Sequence, residues 1–229
     1  MSSIGIVIPA RNEEELLPVC LESMQHLLDQ SDELLVIDAA SEDDTALIAR
    51  RMGFRVINSD SSSRGKAVGL GVNELLALEK MFDVIMIVHA DMVIPHNTRQ
   101  TLLMKLSQYP DAPGGSLGHH IDEKGLAYRL LESGNNFRAR FFCFPYGDQA
   151  QFFCPITLND HFEFPHQEIL EDVELSLLLR KRGSLLYVDC PVLISSRHWE
   201  HGFIRTTLRN WLIVLSYLLR RIFSASSVV

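Results

Sequence analysis

The sequence predicts an α/β protein with a Rossmann-like, mostly parallel central sheet flanked by helices. Three observations carry that expectation. Val84-Ile85-Met86-Ile87-Val88 and Ile4-Gly5-Ile6-Val7-Ile8 are unbroken apolar runs rich in β-branched residues, the pattern of strands buried on both faces. Strand-like and amphipathic stretches alternate through Ile57 at the spacing of right-handed βαβ units. Three of the strands end in polar groups (Pro9-Ala10-Arg11-Asn12, Asp38 and His89-Ala90-Asp91), where parallel α/β sheets gather their ligands.

The elements follow in order. After the first strand, Asn12 and Glu15 have capping-box spacing, and Leu16, Leu17, Cys20, Leu21, Met24, Leu27 and Leu28 recur with helical period to about Asp29. Glu33 to Asp38 is the second strand, and Ser41 and Asp44 are spaced to cap a helix ending near Gly53. Phe54 to Ile57 is the third strand, and a polar loop at Ser61 to Lys66 opens a helix to about Lys80. Beyond the Val84 strand, Asn97 to Ser107 forms a helix with Leu102, Leu103 and Leu106 inward.

The alternation then decays. Gly114 to Gly118 begins a strand, Leu126 to Phe141 reads as a helix, and Tyr146 to Phe153 as a turn entering a strand. Glu168 to Arg182 is a helix with an acidic start, a basic last turn and Gly183 at the C′ position. Leu185 to Val188 and Val192 to Ile194 read as two strands. Phe203 to Phe223 is helical and apolar over Trp211 to Leu219, short of the roughly 20 residues a membrane span needs. Core docking is the first reading of this helix, with a membrane-surface contact or a homodimer seam behind it.

Composition narrows the function classes. A net charge of −8 disfavours nucleic acid as a partner, because phosphate backbones call for clustered Lys and Arg. Cys20, Cys143, Cys154 and Cys190 form no C-x-x-C pair and read as buried free thiols of a reducing compartment. With a strand-like N-terminus in place of a basic-then-apolar leader, the expectation is a cytoplasmic protein, membrane-peripheral if the last helix meets lipid.

Read singly, each candidate site residue has a plain structural alternative. Asp91 serves equally as a turn cap or a ligand. Arg64 and Lys66 straddle Gly65, which would let an anion approach the backbone, yet a solvated basic loop explains them too. Glu171 and Asp172 suit a helix dipole as well as acid–base chemistry. The Asp148-Gln149 pair beside Phe152 and Phe153 fits a pocket lining or aromatic core. No G-x-G-x-x-G follows the first strand, which disfavours a dinucleotide site.

Taken together and in order, these motifs resemble the family-2 glycosyltransferases with the GT-A, or nucleotide-diphospho-sugar transferase, fold. The resemblance rests on Ile6 to Glu14, Val36 to Thr45, Arg64 to Ala67, His89-Ala90-Asp91 and Glu171 to Arg180. The Tyr146-Gly147-Asp148-Gln149 turn and the Arg197-to-Trp211 tail resemble a small bacterial branch of that family. The resemblance implies sugar transfer from a nucleotide diphosphate donor, UDP-linked in preference to GDP-linked, to an acceptor hydroxyl with inversion. The acceptor would be a saccharide or a lipid-linked hydroxyl.

The resemblance also assigns roles. Pro9, Ala10, Arg11, Asn12, Glu13, Asp38 and Ser41 would hold base and ribose, with Arg64, Lys66, His89, Ala90, Asp148 and Gln149 completing the substrate site. Asp91 would carry Mg²⁺ or Mn²⁺, and Asp172, with Glu171 beside it, would be the general base. Where the family usually has Asp-x-Asp this chain has His89, which adds no negative charge, so His198 or His201 is drawn in as an additional metal-ligand candidate, His198 first. The domain expectation is a transferase domain over 1–202, with a nucleotide-sugar half at 1–108 and an acceptor half at 109–202, followed by the helix and tail at 203–229. Two alternatives stay open: a sugar-1-phosphate nucleotidyltransferase, which would want a glycine-rich basic signature after the first strand, and a silent nucleotide-binding module.

Overall fold

The computed structural model describes residues 2–158, 162–165, 167–200 and 202–225. Eight strands form one sheet in the order β3-β2-β1-β4-β7-β6-β8-β5. The strands are β1 (Ile4–Ala10), β2 (Glu33–Asp38), β3 (Arg55–Asn58), β4 (Val84–Ile87), β5 (Met92–Val93), β6 (Gly114–Ile121), β7 (Gln151–Phe153) and β8 (Leu186–Ile194). The helices are α1 (Leu17–Met24), α2 (Thr45–Arg51), α3 (Arg64–Leu76), α4 (Thr98–Gln108), α5 (Leu126–Phe142), α6 (Glu171–Arg180) and α7 (Phe203–Ala225). The chain divides into two compact units, Met1–Ile194 and Ser195–Val229. The second unit holds α7 after a 3-10 turn at Ser196–Trp199.

The apolar runs become the centre of the sheet. β1 is buried over its whole length and pairs in parallel with β2 on one side and β4 on the other. The α3 helix packs directly on this layer: a Cβ added at Gly71 would come within 2.5 Å of Val7 Cγ1 and 2.9 Å of Ile37 Cγ1. Val68, Val72 and Leu75 fill the rest of that contact. Because β1, β2 and β4 run in one direction, their carboxyl ends, and with them Asn12, Asp38 and Asp91, fall on one edge of the sheet.

The second half is mixed. β7 is inserted antiparallel between β4 and β6, whereas β6 and β8 run parallel. The expected pair of strands over Leu185–Ile194 is one strand, β8. Pro191 does not break it, because a register irregularity around Gly118 faces it on β6 and lowers the demand for ladder donors there.

Several local expectations are corrected. Asn12 does not cap α1; its backbone adopts φ +53° and its Oδ1 accepts from Glu42 N at 2.9 Å, so α1 starts only at Leu17. Ser41 and Asp44 do not cap α2; Asp43 Oδ1 accepts from Thr45 N instead. The α6 helix begins at Glu171 rather than Glu168, and Gly183 lies past its end without left-handed backbone. On α4 Leu102 is buried, while Leu103 and Leu106 are half-buried. All four thiols are free, but Cys143 is only half-buried. Burial raises the Cys154 thiol to about 12.

The tight α3 contact gives a test. Gly71→Val has no free volume beside Val7 and Ile37 and should cost about 1–3 kcal/mol by overpacking. Urea denaturation of both proteins measures it, and an unchanged midpoint would contradict the packing described.

Candidate active site

The floor of the site is the edge where β1 and β2 end. The two loops there are laced together: Asn12 N donates to Ser41 Oγ at 3.0 Å, Glu13 N to Thr45 Oγ1 at 2.7 Å and Asp44 N to Glu14 Oε2 at 3.0 Å. Pro9 and Ala10 are buried strand residues, while Arg11 and Asn12 are exposed. Asp38 is buried; its Oδ2 accepts from Ser41 N at 3.3 Å, and its Oδ1 is buried without a hydrogen-bond partner. An acceptor left open in this way favours a ligand bearing O–H or N–H donors.

The wall is built by the N-termini of α3 and α6. Arg64 Nε donates to Glu171 Oε1 at 2.6 Å; the Glu171 side chain is 4% exposed and that of Arg64 48%. Glu171 Oε2 is a second buried acceptor without a partner. One residue on, Asp172 is tied at both oxygens, Oδ2 accepting from Gly147 N at 2.7 Å and Oδ1 from Val173 N at 2.9 Å. Lys66 Nζ meets Glu168 Oε1 at 2.6 Å, with both side chains exposed. The role expected of Gly65 is corrected: a Cβ there would lie 1.9 Å from Gln167 O, so the chain's own backbone takes the close approach foreseen for an anion.

The turn around Gly147 closes the group. Its backbone packs against His89 so tightly that a Cβ on Gly147 would meet His89 Nε2 at 2.9 Å and Asp172 Oδ2 at 3.2 Å. Gln151 Nε2, donating to Asp172 O and Ser176 Oγ, and Ser176 Oγ, donating to Pro145 O, fix this turn on α6. Gln149 is fully buried, its Oε1 accepting from Arg138 and its Nε2 donating to Asn136 Oδ1 at 3.1 Å. Asp148 pairs with the buried ring of His119, Oδ2 to Nδ1 at 3.1 Å. Four of the positive-φ non-glycine residues, Asn12, Ala40, Ala150 and Leu170, lie in these loops, and backbone held this way needs a surrounding structure that over-determines it.

Charge is distributed unevenly over the group. Burial lowers the His89 pKa to about 3, helped by the field of Arg64, so the ring is neutral near pH 7. Burial would raise the Asp148 carboxyl, but His119, Arg138 and His89 hold it at about 2. Burial would lower His119, and Asp148 outweighs it to raise that pKa. Burial raises Glu171 despite Arg64, and the neighbouring Asp172 adds to the rise. The result is an acidic corner that holds Arg64 and Arg138, beside the neutral imidazole of His89.

Residues 5–165 match the model of the family described as glycosyl transferase family 2. This chain belongs to that family. It is 32% identical over 98 residues to glucosyl-3-phosphoglycerate synthase of Mycobacterium tuberculosis, a match spanning 41% of this chain and 30% of that protein. That enzyme solved with Mn²⁺ and UDP-glucose superposes with a TM-score of 0.55 at 20% identity, covering 85% of this chain and 70% of that one. TarS residues 1–349 of S. aureus with UDP-GlcNAc gives 0.65 at 16% identity, covering 88% and 60%. The mannosyltransferase PcManGT of Pyrobaculum calidifontis with GDP-Man and Mn²⁺ gives 0.63 at 19%, covering 87% and 58%. These likenesses show a GT-A fold.

Within this family-2 chain, most expected site residues come together. Asp91 lies in the tight turn His89–Met92 that links β4 to β5, next to the buried Ala90. His198 belongs to the second compact unit, where its Nε2 meets Asn210 Nδ2 at 2.9 Å. Sequence reasoning missed His119, Arg138, Gln151 and Ser176, whose roles arise from tertiary neighbours far along the chain. A histidine following glycines on β6 was the one visible hint of His119.

The His119–Asp148 pair predicts a pH signature for stability. The depressed Asp148 pKa contributes stability that is present above about 4 and lost as pH falls toward about 2. The raised His119 pKa contributes stability that is present below about 6.5 and lost as pH rises through its folded value. Asp148→Asn should therefore destabilise most between about pH 4 and 6.5. Denaturation at several pH values measures this, and a pH-independent difference would contradict it.

Proposed function

We propose that this chain is an inverting glycosyltransferase that moves a sugar from a nucleoside diphosphate donor, UDP-linked in preference to GDP-linked, to the hydroxyl of a saccharide or lipid-linked acceptor. The observation that carries the reading is Asp172, held at both oxygens on the first turn of α6 beside the Arg64–Glu171 pair, along the edge where β1, β2 and β4 end. The UDP and GDP donors bound to TarS and PcManGT support a nucleotide-sugar ligand, and UDP-glucose on the mycobacterial relative supports UDP.

In this reading the Pro9-to-Glu13 loop, Asp38 and Ser41 take the base and ribose, the open Oδ1 of Asp38 receiving a donor from the nucleoside. Arg64 and Lys66 face the diphosphate; Lys66 must exchange Glu168 for phosphate, which the exposure of both makes cheap. Asp172 takes the proton of the acceptor hydroxyl as its oxygen forms the bond to the anomeric carbon, and the bond to the diphosphate breaks with the electron pair leaving on phosphate. Glu171 stays with Arg64 and sets the orientation of the arginine. Gln149 holds the Gly147 turn, and Asp148 and the neutral His89 border the transferring sugar.

The described residues contain no group of three or more His, Cys, Asp or Glu that could hold a metal ion. The donor set fits a divalent ion only as one that arrives with the diphosphate, since Mg²⁺ and Mn²⁺ of this kind are held by one or two carboxylates plus phosphates. Asp91 is the carboxylate that would hold it, with His89 on the same turn. Such an ion would neutralise charge on the leaving diphosphate.

Two measurements test the reading. UDP-sugars with Mn²⁺ should raise the melting temperature, and Asp91→Ala should remove the metal-dependent part of that shift. Asp172→Asn should lower turnover by about 10²- to 10⁴-fold while leaving nucleotide binding intact. No shift with any nucleotide sugar, or full turnover in Asp172→Asn, would overturn it; pyrophosphate release from a nucleoside triphosphate would point to nucleotidyl transfer instead.

A further inference from the structure

We infer that α7 is a membrane-surface helix that binds an anionic lipid bilayer through one apolar face. The helix is continuous over Phe203–Ala225. Ile204, Leu208, Trp211, Leu215, Leu219 and Phe223 are all exposed, Trp211 at 59% and Leu215 at 53%. At helical spacing they fall on one arc about 120° wide. Arg205, Arg209 and Arg220, also exposed, line one border of that arc. An exposed Trp/Leu/Phe face bordered by arginines is the composition of helices that lie in the lipid headgroup layer.

Charge decides which partner fits. Residues 203–229 contain four arginines and no Asp or Glu, a net charge of +4, while residues 1–202 carry −12. The segment that carries this apolar face and no acidic residue is thus net basic within an acidic chain. A second copy of the same face is disfavoured, because pairing it with itself would gather six bordering arginines along one seam with no acidic partner from either helix. An anionic bilayer supplies both the apolar layer and the opposite charge, and the acidic remainder of the chain cannot supply the attraction. No helix among the described residues is long and apolar enough to cross a membrane, and the inference concerns a helix lying on the surface.

The test uses the full chain and vesicles of phosphatidylcholine with or without phosphatidylglycerol, read by co-sedimentation at low and high salt. The chain should sediment with the anionic vesicles, less so at high salt and much less with phosphatidylcholine alone. Trp211→Glu with Leu215→Glu should abolish binding, and Arg220→Glu with Arg221→Glu should reduce it about 10-fold or more. Circular dichroism checks that the variants stay folded, which the exposure of Trp211, Leu215 and Arg220 favours. No sedimentation with either vesicle, or equal binding by the Trp211/Leu215 variant, would overturn the inference. So would a dimer in analytical ultracentrifugation that this variant dissolves while vesicle binding is unchanged. Because the readout is partition and not turnover, its failure is distinct from failure of the proposed transferase activity.

Discussion

The Arg64–Glu171 ion pair is the constraint on which the rest of the site depends. It joins the first residue of α3, which packs on the parallel half of the sheet, to the first residue of α6, which belongs to the mixed half. A carboxylate as buried as Glu171 is tolerable only while its cation is in place, so the two helix starts are held in one register. Asp172 then inherits its position from Glu171 by being next in the chain, and the Gly147 amide fixes its orientation. Ser63 Oγ, donating to Glu168 O at 3.0 Å, adds a second tie between the same two segments.

The polar residues around this pair fall into two kinds. Gln149, Gln151, Ser176, Asn136 and Arg138 have their hydrogen-bonding atoms engaged within the protein and make the turn at 145–149 rigid. Asp38 Oδ1, Glu171 Oε2 and Asp148 Oδ1 are buried acceptors without partners. Unpaired buried acceptors cost stability unless something supplies donors, and all three are on the acidic side of the site. A ligand rich in hydroxyl and N–H groups answers that need, which is the physical link between the geometry and the nucleotide-sugar substrate we propose.

The parallel half was legible in the sequence because its strands are apolar on both faces and its helices follow each strand at short, regular spacing. The carboxyl-edge residues followed directly, since parallel strands put their ends together. The second half was harder for identifiable reasons. β7 is three residues long and enters the sheet antiparallel. Pro191 looks like a strand breaker until the irregularity opposite it on β6 is seen. Asn12 and Ser41 looked like helix caps because side chains that cap helices can also lace two loops together, and only the tertiary structure brings Asn12 to Glu42. Arg138 carries no local pattern and His119 only the glycines that precede it; they matter because Asp148 and Gln149 fold onto them.

A crystal structure of the full chain with UDP and Mn²⁺ tests the central claim most directly. The account predicts the nucleoside against Asp38 and the Asn12 loop, a donor group within hydrogen-bonding distance of Asp38 Oδ1, and the diphosphate beside Arg64 and Asp91, with the Arg64–Glu171 pair retained and Asp172 facing the open end of the diphosphate. Nucleotide bound away from the ends of β1, β2 and β4, or Asp172 turned from the diphosphate, would contradict it.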